Sequence, residues 1–368
     1  MNSIPEDKIN SIPEDMIYEI GKFLSGKDFR SSLSTCKKMK NSKYKYQYLD
    51  LNKGGSELFA SNNEEGQSFR NEVLSQINNS DKQLSLDLSY CHRITDVSML
   101  GNVHILNLSF CDRITDVSMF GNVYELYLSY CDGITDVSML GNVHTLDLSG
   151  CSRIKDVSML GNVRELNLSC CRRIIDVSML GKVYTLDLCG CSRITDVSML
   201  GNVDTLDLSW CEQIKDVSML GNVHTLNLSY CNQITDVSML GNVNTLDLCS
   251  CSGITDVSML GNVNRLNLSW CQQITDISML GNVNTLALSG FSGITDVSML
   301  GKVHKLDLYC CTGLKDVSKL GNVHTLNLNR CSGITDVSML GKVHTLSLSG
   351  CLGITDVSML GNVTVLNY

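Results

Sequence analysis

From Leu86 onward, apolar and polar residues alternate in short stretches that recur at a fixed interval. In one such stretch, Leu126 and Leu128 alternate with Glu125, Tyr127 and Ser129. Alternation with a period of two is typical of a β-strand that buries one face and exposes the other. The pattern therefore predicts one short strand in each interval, with the leucines pointing into a core.

The interval is twenty residues long and runs to the last residue without insertion or deletion, which gives fourteen units. A unit of this length cannot bury a core alone, so neighbouring units must stack into a solenoid. Because no room remains for a long helix, we expect the return limb, residues 116–120 in one unit, to be a single tight 3₁₀ turn. Asp116 suits the cap of that turn, and Gly121 offers backbone freedom for re-entering the sheet.

Joined units read V-x-x-L-x-L-x-x-C-x-x-I, seen at Val123, Leu126, Leu128, Cys131 and Ile134. This pattern resembles the leucine-rich-repeat signature, in which the cysteine site carries asparagine or cysteine. The resemblance implies a leucine-rich-repeat solenoid of parallel strands with short 3₁₀ or extended convex limbs. We therefore assign residues 86–368 to a solenoid of fourteen 20-residue units.

Residues 1–45 have a different character from the repeats. Proline and acidic residues at positions 13–15 open a stretch with apolar residues at helical spacing, and Gly26 interrupts it before a second helical face begins. Two short helices are too few for an independent core, so we expect their apolar surface to pack against another chain. Residues 1–10, which begin a local duplication, are expected to form a flexible lead.

The stretches Ile12-Pro13-Glu14-Asp15-Met16 and Cys36-Lys37-Lys38-Met39 resemble the opening and closing motifs of an F-box. An F-box directly before leucine-rich repeats is the domain order of the F-box and leucine-rich-repeat family, and the near-identical units are most similar to such proteins from giant DNA viruses. The resemblance implies that residues 11–45 form a small α-helical F-box-like domain, which docks onto a Skp-family adaptor of a cullin complex while the repeats hold a protein substrate. The adaptor contacts that it implies are Ile12, Pro13, Met16, Ile17, Ile20, Phe23, Leu24, Leu33, Cys36 and Met39.

Residues 46–85 connect these two regions. The segment Tyr48-Leu49-Asp50-Leu51 is similar to the strand of a repeat, and Phe69, Val73, Leu74 and Ile77 have helical spacing. We expect this segment to be an irregular repeat or linker that caps the solenoid.

Most reactive side chains recur at fixed repeat positions. Thirteen of the eighteen cysteines, from Cys91 to Cys351, share one position and are interpreted as buried structural thiols. Six of the seven histidines share the position before the strand and are interpreted as polar surface residues, while the repeated aspartates cap turns. The methionines from Met99 to Met359 are interpreted as filling gaps under the turn, with a second, convex binding face as the alternative.

Side chains copied from unit to unit do not converge on one place as a catalytic site requires. We therefore expect a protein that is not an enzyme, with no catalytic residues, no metal and no other cofactor. The informative positions are those that vary between units.

The residue directly before the repeated cysteine, which we name the exit position, is aromatic in six units and glycine in four. Rings on a solvent-facing strip provide much of the binding energy when a partner buries them. The alternative is that stacked rings only cover the sheet edge. The predicted target-binding residues are Tyr90, Phe110, Tyr130, Trp210, Tyr230 and Trp270 at exit positions, with Tyr127 and Tyr309 at outward strand positions.

A basic row accompanies these rings in the first half of the repeats only, formed by Arg93, Arg113, Arg153, Arg173 and Arg193. It favours an acidic partner segment there, although solvated loop arginines explain it equally well. The net charge of −9 disfavours nucleic-acid binding, which needs a dominant basic field.

The first residues form no apolar signal core, and no apolar stretch reaches the length of a membrane span. We expect a protein of the cytoplasm of a eukaryotic or host cell, with the nucleus as the alternative, that does not enter membranes. Two functions stay open: a substrate-recognition adaptor of an SCF-type cullin ubiquitin ligase, and a protein-binding leucine-rich-repeat scaffold with no ubiquitin role.

Overall fold

The computed structural model describes residues 46–49, 58–59, 61, 63–78 and 83–367. The chain divides into two compact units, Met1–Asn167 and Leu168–Tyr368. The residues predicted to contact a Skp adaptor all lie outside the described residues: Ile12, Pro13, Met16, Ile17, Ile20, Phe23, Leu24, Leu33, Cys36 and Met39.

The described part of the first unit combines α-helical residues with parallel strands and 3₁₀ turns. Helix α1 spans Glu64–Asn78 and contains the apolar residues with helical spacing. The strands are β1 (Tyr46–Leu49), β2 (Gln83–Asp87), β3 (Ile105–Asn107), β4 (Glu125–Tyr127), β5 (Thr145–Asp147) and β6 (Glu165–Asn167). The 3₁₀ turns are Ser98–Leu100, Ser118–Asn122, Ser138–Leu140 and Ser158–Leu160. No helix within the described residues is long and apolar enough to cross a membrane.

The second unit repeats the same strand and turn throughout. Its strands are β7 (Thr185–Asp187), β8 (Thr205–Asp207), β9 (Thr225–Asn227), β10 (Thr245–Asp247), β11 (Arg265–Asn267), β12 (Thr285–Ala287), β13 (Lys305–Asp307), β14 (Thr325–Asn327), β15 (Thr345–Ser347) and β16 (Val365–Asn367). Its 3₁₀ turns are Ser178–Leu180, Ser198–Leu200, Ser218–Leu220, Ser238–Asn242, Ser258–Asn262, Ser278–Asn282, Ser298–Lys302, Ser318–Leu320, Ser338–Leu340 and Ser358–Leu360. The predicted solenoid of short parallel strands and 3₁₀ limbs is therefore confirmed.

Within the repeats of each unit, neighbouring strands pair in parallel at an offset of twenty residues, so that equal repeat positions face each other. Leu226, Leu246 and Leu266 form one such row, and each is at most 2% exposed. Thr245 and Asp247, on the other face of β10, are only half-buried. The predicted alternation of buried and solvent-facing strand positions is confirmed.

The 3₁₀ turns are held by the repeated aspartates. The Asp116 carboxylate accepts a hydrogen bond from the Ser118 main-chain N–H at 2.9 Å, and this bond lowers the pKa of Asp116. The prediction of special backbone freedom at Gly121 is wrong, because its φ is not in the left-handed region. Glycine is needed there for space, since a Cβ would lie 2.6 Å from the carbonyl oxygen of Met139 in the next turn.

The repeated cysteines form a buried row of thiols. Cys231 is fully buried, and its Sγ donates to the carbonyl of Leu208 in the preceding repeat at 3.1 Å. Burial raises the pKa of the Cys231 thiol to about 12. The interpretation as structural thiols and weak donors is confirmed, and Phe291, which is 1% exposed, fills the same position without sulfur.

The interpretation of the methionines as fillers under the turn is wrong for most of them. In the second unit their side chains are about three-fifths exposed, because the leucine after each methionine already fills the space under the turn. The exposed fractions are Met179 60%, Met199 58%, Met219 60%, Met239 60%, Met259 59%, Met279 59% and Met299 60%.

Candidate functional site

All exit positions share one backbone conformation. From Tyr90 to Gly350, their φ angles lie between 57° and 81°, in the left-handed region. A hydrogen bond to the next repeat holds the chain in this shape: the main-chain N–H of Trp210, for example, donates to the carbonyl of Ser229 at 2.9 Å. The exit residue is therefore fixed at the point where the chain leaves the strand.

The last residue of the strand supports this turn through its side chain. Asp207 accepts hydrogen bonds from the Ser209 N–H at 2.8 Å and from the Ser209 hydroxyl at 2.6 Å. Its second carboxylate oxygen accepts from the Asn227 side-chain amide at 2.8 Å. These polar side chains thus position the backbone from which the exit ring projects.

The left-handed conformation is unfavourable for aromatic residues. It costs a residue with a Cβ about 1 to 2 kcal/mol, whereas glycine adopts it freely. Glycine occupies four exit positions, six carry rings, and the remaining four carry Cys170, Ser250, Cys310 and Arg330. Strained residues persist where surrounding contacts compensate, and they cluster at functional sites.

In the first unit, three exit rings form one stack. The ring centroids of Tyr90 and Phe110 are 4.6 Å apart, and those of Phe110 and Tyr130 are 4.9 Å apart, with interplanar angles of 6° and 12°. The Tyr130 ring continues over Gly150, where a Cβ would come within 2.6 Å of it. Tyr90 remains 62% exposed and Tyr130 51% exposed, so the rings both stack and face solvent.

The second unit places a ring pair and a single ring at its exit positions. Trp210 stacks on Tyr230 with a centroid distance of 3.9 Å and an interplanar angle of 10°. Trp270 lies over Gly290, where a Cβ would meet the indole at 2.5 Å. Both tryptophans are nearly half exposed, at 48% and 47%. These two clusters offer flat, partly exposed aromatic surface on a fixed backbone.

The other two predicted aromatic residues lie apart from the exit rings. Tyr127 is in β4, half-buried, and its hydroxyl donates to a carboxylate oxygen of Glu125 at 3.1 Å. Burial and the nearby Glu125 charge raise the pKa of Tyr127 to about 12. Tyr309 follows the end of β13 and is half-buried, with the Arg330 guanidinium 5.7 Å from its ring centroid.

A second set of rings occupies the residues before the strands, where the sequence analysis recognised the histidines but not the stacking of Tyr124 between them. Tyr124 stacks between His104 and His144, with centroid distances of 4.8 and 4.5 Å. In the second unit, His324 stacks on His344 at 4.5 Å, and desolvation together with neighbouring positive charge lowers the pKa of His324. Tyr124 shares its repeat position with the histidines, so treating that position as a ring position would have revealed the stack.

The predicted basic row, Arg93, Arg113, Arg153, Arg173 and Arg193, is exposed at the third residue after each exit position. Among the residues that the structure describes, no three histidine, cysteine, aspartate or glutamate side chains are grouped so that they could hold a metal ion. The candidate functional residues are thus the exit rings of each unit and the polar side chains beside them.

Comparison with known proteins agrees with this architecture. A family model described as Leucine Rich repeat matches residues 222–240. No curated protein matches the chain.

Two solved structures from Listeria monocytogenes are similar in fold. An internalin, inlF, is 24% identical, with 75% of this chain and 84% of that chain covered and a TM-score of 0.53. The functional domain of InlJ, which includes a cysteine ladder, is 25% identical, with 76% of this chain and 66% of that chain covered and a TM-score of 0.52. The fold is that of a leucine-rich-repeat solenoid.

Proposed function

We propose that this chain is a non-catalytic, protein-binding leucine-rich-repeat scaffold whose exit rings form the recognition surface. The observation that carries the proposal is the placement of six aromatic rings at left-handed positions that glycine occupies elsewhere in the same repeats. Stacking offers about 0.5 to 1.5 kcal/mol per pair, which is no larger than the backbone cost. Stacking alone therefore does not explain why rings occupy these positions, whereas binding energy from a partner that buries the exposed ring surface does.

The ring clusters favour a protein partner with apolar or planar side chains at its contact. Trp210 and Trp270 are nearly half exposed, and tryptophan and tyrosine are enriched among residues that dominate binding energy. The neighbouring arginine row, including Arg93 and Arg113, adds a preference for an acidic segment near the first ring stack.

Site-specific photocrosslinking of the full chain, expressed in eukaryotic cells, tests this proposal. A benzoylphenylalanine replaces Trp270 in one variant. In the matched control it replaces Asn264, an exposed residue just before β11 that belongs neither to the exit positions nor to the 3₁₀ turns. We expect a discrete crosslinked protein from position 270 that is absent from position 264. Equal crosslinking at both positions, or none at position 270, would contradict recognition through the exit rings.

We further propose that residues 11–45 link this scaffold to a Skp-family adaptor of a cullin ubiquitin ligase. The support is the resemblance of Ile12-Pro13-Glu14-Asp15-Met16 to the opening of an F-box and its place before the repeats. In this proposal the scaffold acts by proximity, because it brings a captured protein to a conjugating complex that modifies the lysines of that protein. Met39 stands where the F-box pattern ends in tryptophan, so the aromatic contribution to docking is reduced.

A binding assay between the full chain and a purified eukaryotic Skp adaptor tests the ubiquitin link. Ile20→Ser combined with Phe23→Ser should abolish binding, while Trp210→Gly combined with Trp270→Gly should preserve it. No binding of the wild-type chain at tens of micromolar, roughly the range of weak specific complexes, would refute the link and leave the scaffold alone.

A further inference from the structure

The second unit presents a continuous row of exposed methionines on its 3₁₀ limbs, away from the strands. We name the seven residues Met179, Met199, Met219, Met239, Met259, Met279 and Met299 the methionine row. They occupy equal positions in successive repeats, and Lys319 interrupts the series. Seven apolar side chains in sequence, each about three-fifths exposed, form an apolar patch instead of scattered surface residues.

The fold itself gives no reason for methionine at these positions. The other invariant residues of the limb have internal tasks: the aspartate caps the turn, the leucine fills the core, and the glycine makes room for the next turn's carbonyl. The methionine side chain leaves most of its surface in water. An apolar residue that is kept at an exposed position points to a ligand that covers it.

A row of carboxylates runs beside the methionines. Asp196, Asp216, Asp236, Asp256 and Asp276 are all exposed, and each accepts a hydrogen bond from the main-chain N–H two residues later. These bonds lower the pKa values of the carboxylates below the ordinary 3.8, so all five are charged at neutral pH, as unperturbed aspartates also are. Neighbouring carboxylates oppose this shift in Asp236 by repulsion, which a cationic ligand would relieve.

Furrows between successive turns combine the two chemistries. One furrow of about 230 Å³ is lined by Asp196, Asp216 and Met219 among others, and a second of about 240 Å³ is lined by Asp236, Asp256 and Met259. Each furrow thus offers an apolar wall and two carboxylates. A lysine or arginine side chain fits both features of a furrow. Its aliphatic stem packs against the methionine thioether, and its charged end pairs with the aspartate carboxylates.

We propose that the methionine row with its flanking carboxylates binds a basic amphipathic α-helix of a protein partner. Successive repeats are roughly 5 Å apart, and residues three or four apart on a helix advance about 4.5 to 6 Å. The apolar stripe of a helix lying along the row therefore meets one methionine per step. Seven repeats span roughly 30 Å, the length of a helix of about 20 residues. Methionine suits such a surface because its flexible side chain adapts to varied apolar shapes.

The charge pattern disfavours two other occupants. A second copy of the chain would bring its own carboxylate row against this one, at a cost from like-charge repulsion. Cytoplasmic membrane surfaces carry negative charge and would repel the same aspartates. A basic helix is the occupant that complements both the apolar and the acidic row.

The test uses the full chain with isotope-labelled methionine methyl groups and a synthetic lysine–leucine amphipathic peptide of about 20 residues. We expect saturable shifts of the methyl signals of the methionine row, with the signals of Met1, Met16 and Met39 unchanged. A peptide of the same composition in shuffled order, without an apolar face, should not produce them. Because this readout needs only the wild-type chain, it does not depend on the stability of any variant.

Two variants separate the apolar and the charged contributions. Met219→Gln, Met239→Gln and Met259→Gln in one chain should weaken binding at least about tenfold. Replacing Asp216, Asp236 and Asp256 by asparagine keeps the turn-capping oxygen, removes the charge, and should weaken binding most at low salt. Trp210→Gly with Trp270→Gly should leave the affinity unchanged.

Several results would overturn the proposal. One is equal binding of the shuffled peptide or of a glutamate–leucine helix. Another is a shift of the methionine-row signals by anionic phosphatidylglycerol vesicles but not by the peptide. A third is a change of these signals on dilution of the chain alone, which would identify a second copy as the occupant.

Discussion

Replacement of Tyr130 by alanine and by glycine should reverse the usual stability order of these two residues. Tyr130 has a φ of 57°, in the left-handed region, and its ring stacks on Phe110. Both replacements lose the ring pair, worth about 0.5 to 1.5 kcal/mol. Only alanine keeps a Cβ in this conformation, at a cost of about 1 to 2 kcal/mol.

Glycine has a cost of its own, since its unfolded chain is more flexible by about 0.5 to 1 kcal/mol. The difference leaves Tyr130→Gly more stable than Tyr130→Ala by roughly 0 to 1.5 kcal/mol, with a central value near 0.7 kcal/mol. The gain at the backbone also offsets most of the lost stacking, so the glycine variant should lie within about 1 kcal/mol of the wild type.

Tyr124 provides a matched control in the same unit. Its ring also stacks on neighbours and is 41% exposed, but its backbone is outside the left-handed region. There the normal order should hold, with Tyr124→Ala more stable than Tyr124→Gly. The assay is urea unfolding of all four variants, followed by circular dichroism. The same alanine-over-glycine order at both tyrosines would refute the strain argument.

Three further predictions concern the core and the turns. Under native conditions at about pH 8, an aromatic disulfide reagent should modify half-buried Cys189 well before Cys231. Cys231 is slower because it is buried and its pKa is raised to about 12. Equal modification rates of the two thiols, measured by mass spectrometry, would contradict the burial of Cys231. Asp236→Asn should keep the bond to Ser238, whereas Asp236→Ala should lower the thermal unfolding temperature at neutral pH. The pKa of Asp236 in the folded chain lies below its ordinary value of 3.8. The ionised carboxylate therefore stabilises the fold at pH values above 3.8, and this stabilisation is lost as the pH falls through the folded pKa. Asp236→Asn should show less of this acid dependence in thermal scans between about pH 5 and 2, and an unchanged dependence would count against it. Phe291→Cys should lower the free energy of unfolding in urea by about 2 to 4 kcal/mol, because it leaves a cavity at a buried position. A cost near zero would contradict this prediction.

The repeat architecture could be predicted because its determinants are local and copied. Leu126 and Leu128 set the buried strand face, and twenty residues leave space for one tight turn only. The burial of the cysteines could be predicted for the same reason, since a side chain at one core position of each repeat packs against the equivalent side chains of the neighbouring repeats. The steric role of Gly121 could not be predicted from the repeat pattern, because it depends on the distance to a carbonyl oxygen in the next repeat.

The surface was harder to predict than the core for a related reason. The repeated methionines have the apolar character of core residues, and only the structure shows that the following leucine already fills the interior. The exit rings could be recognised because their repeat position varies between units. Their left-handed backbone was not predicted, although the recurrence of glycine at the same position, as at Gly150, indicates it. Residues 11–45 lie outside the described residues, so their resemblance to an F-box stays a prediction.

The most direct test of the central claim is the affinity of the chain for the protein captured by crosslinking at position 270. Calorimetry would compare the wild type with Trp210→Gly, Tyr230→Gly and Trp270→Gly in one chain, at backbone positions where glycine is free of strain. We expect an affinity loss of at least about tenfold with the fold intact. An unchanged affinity would contradict recognition through the exit rings.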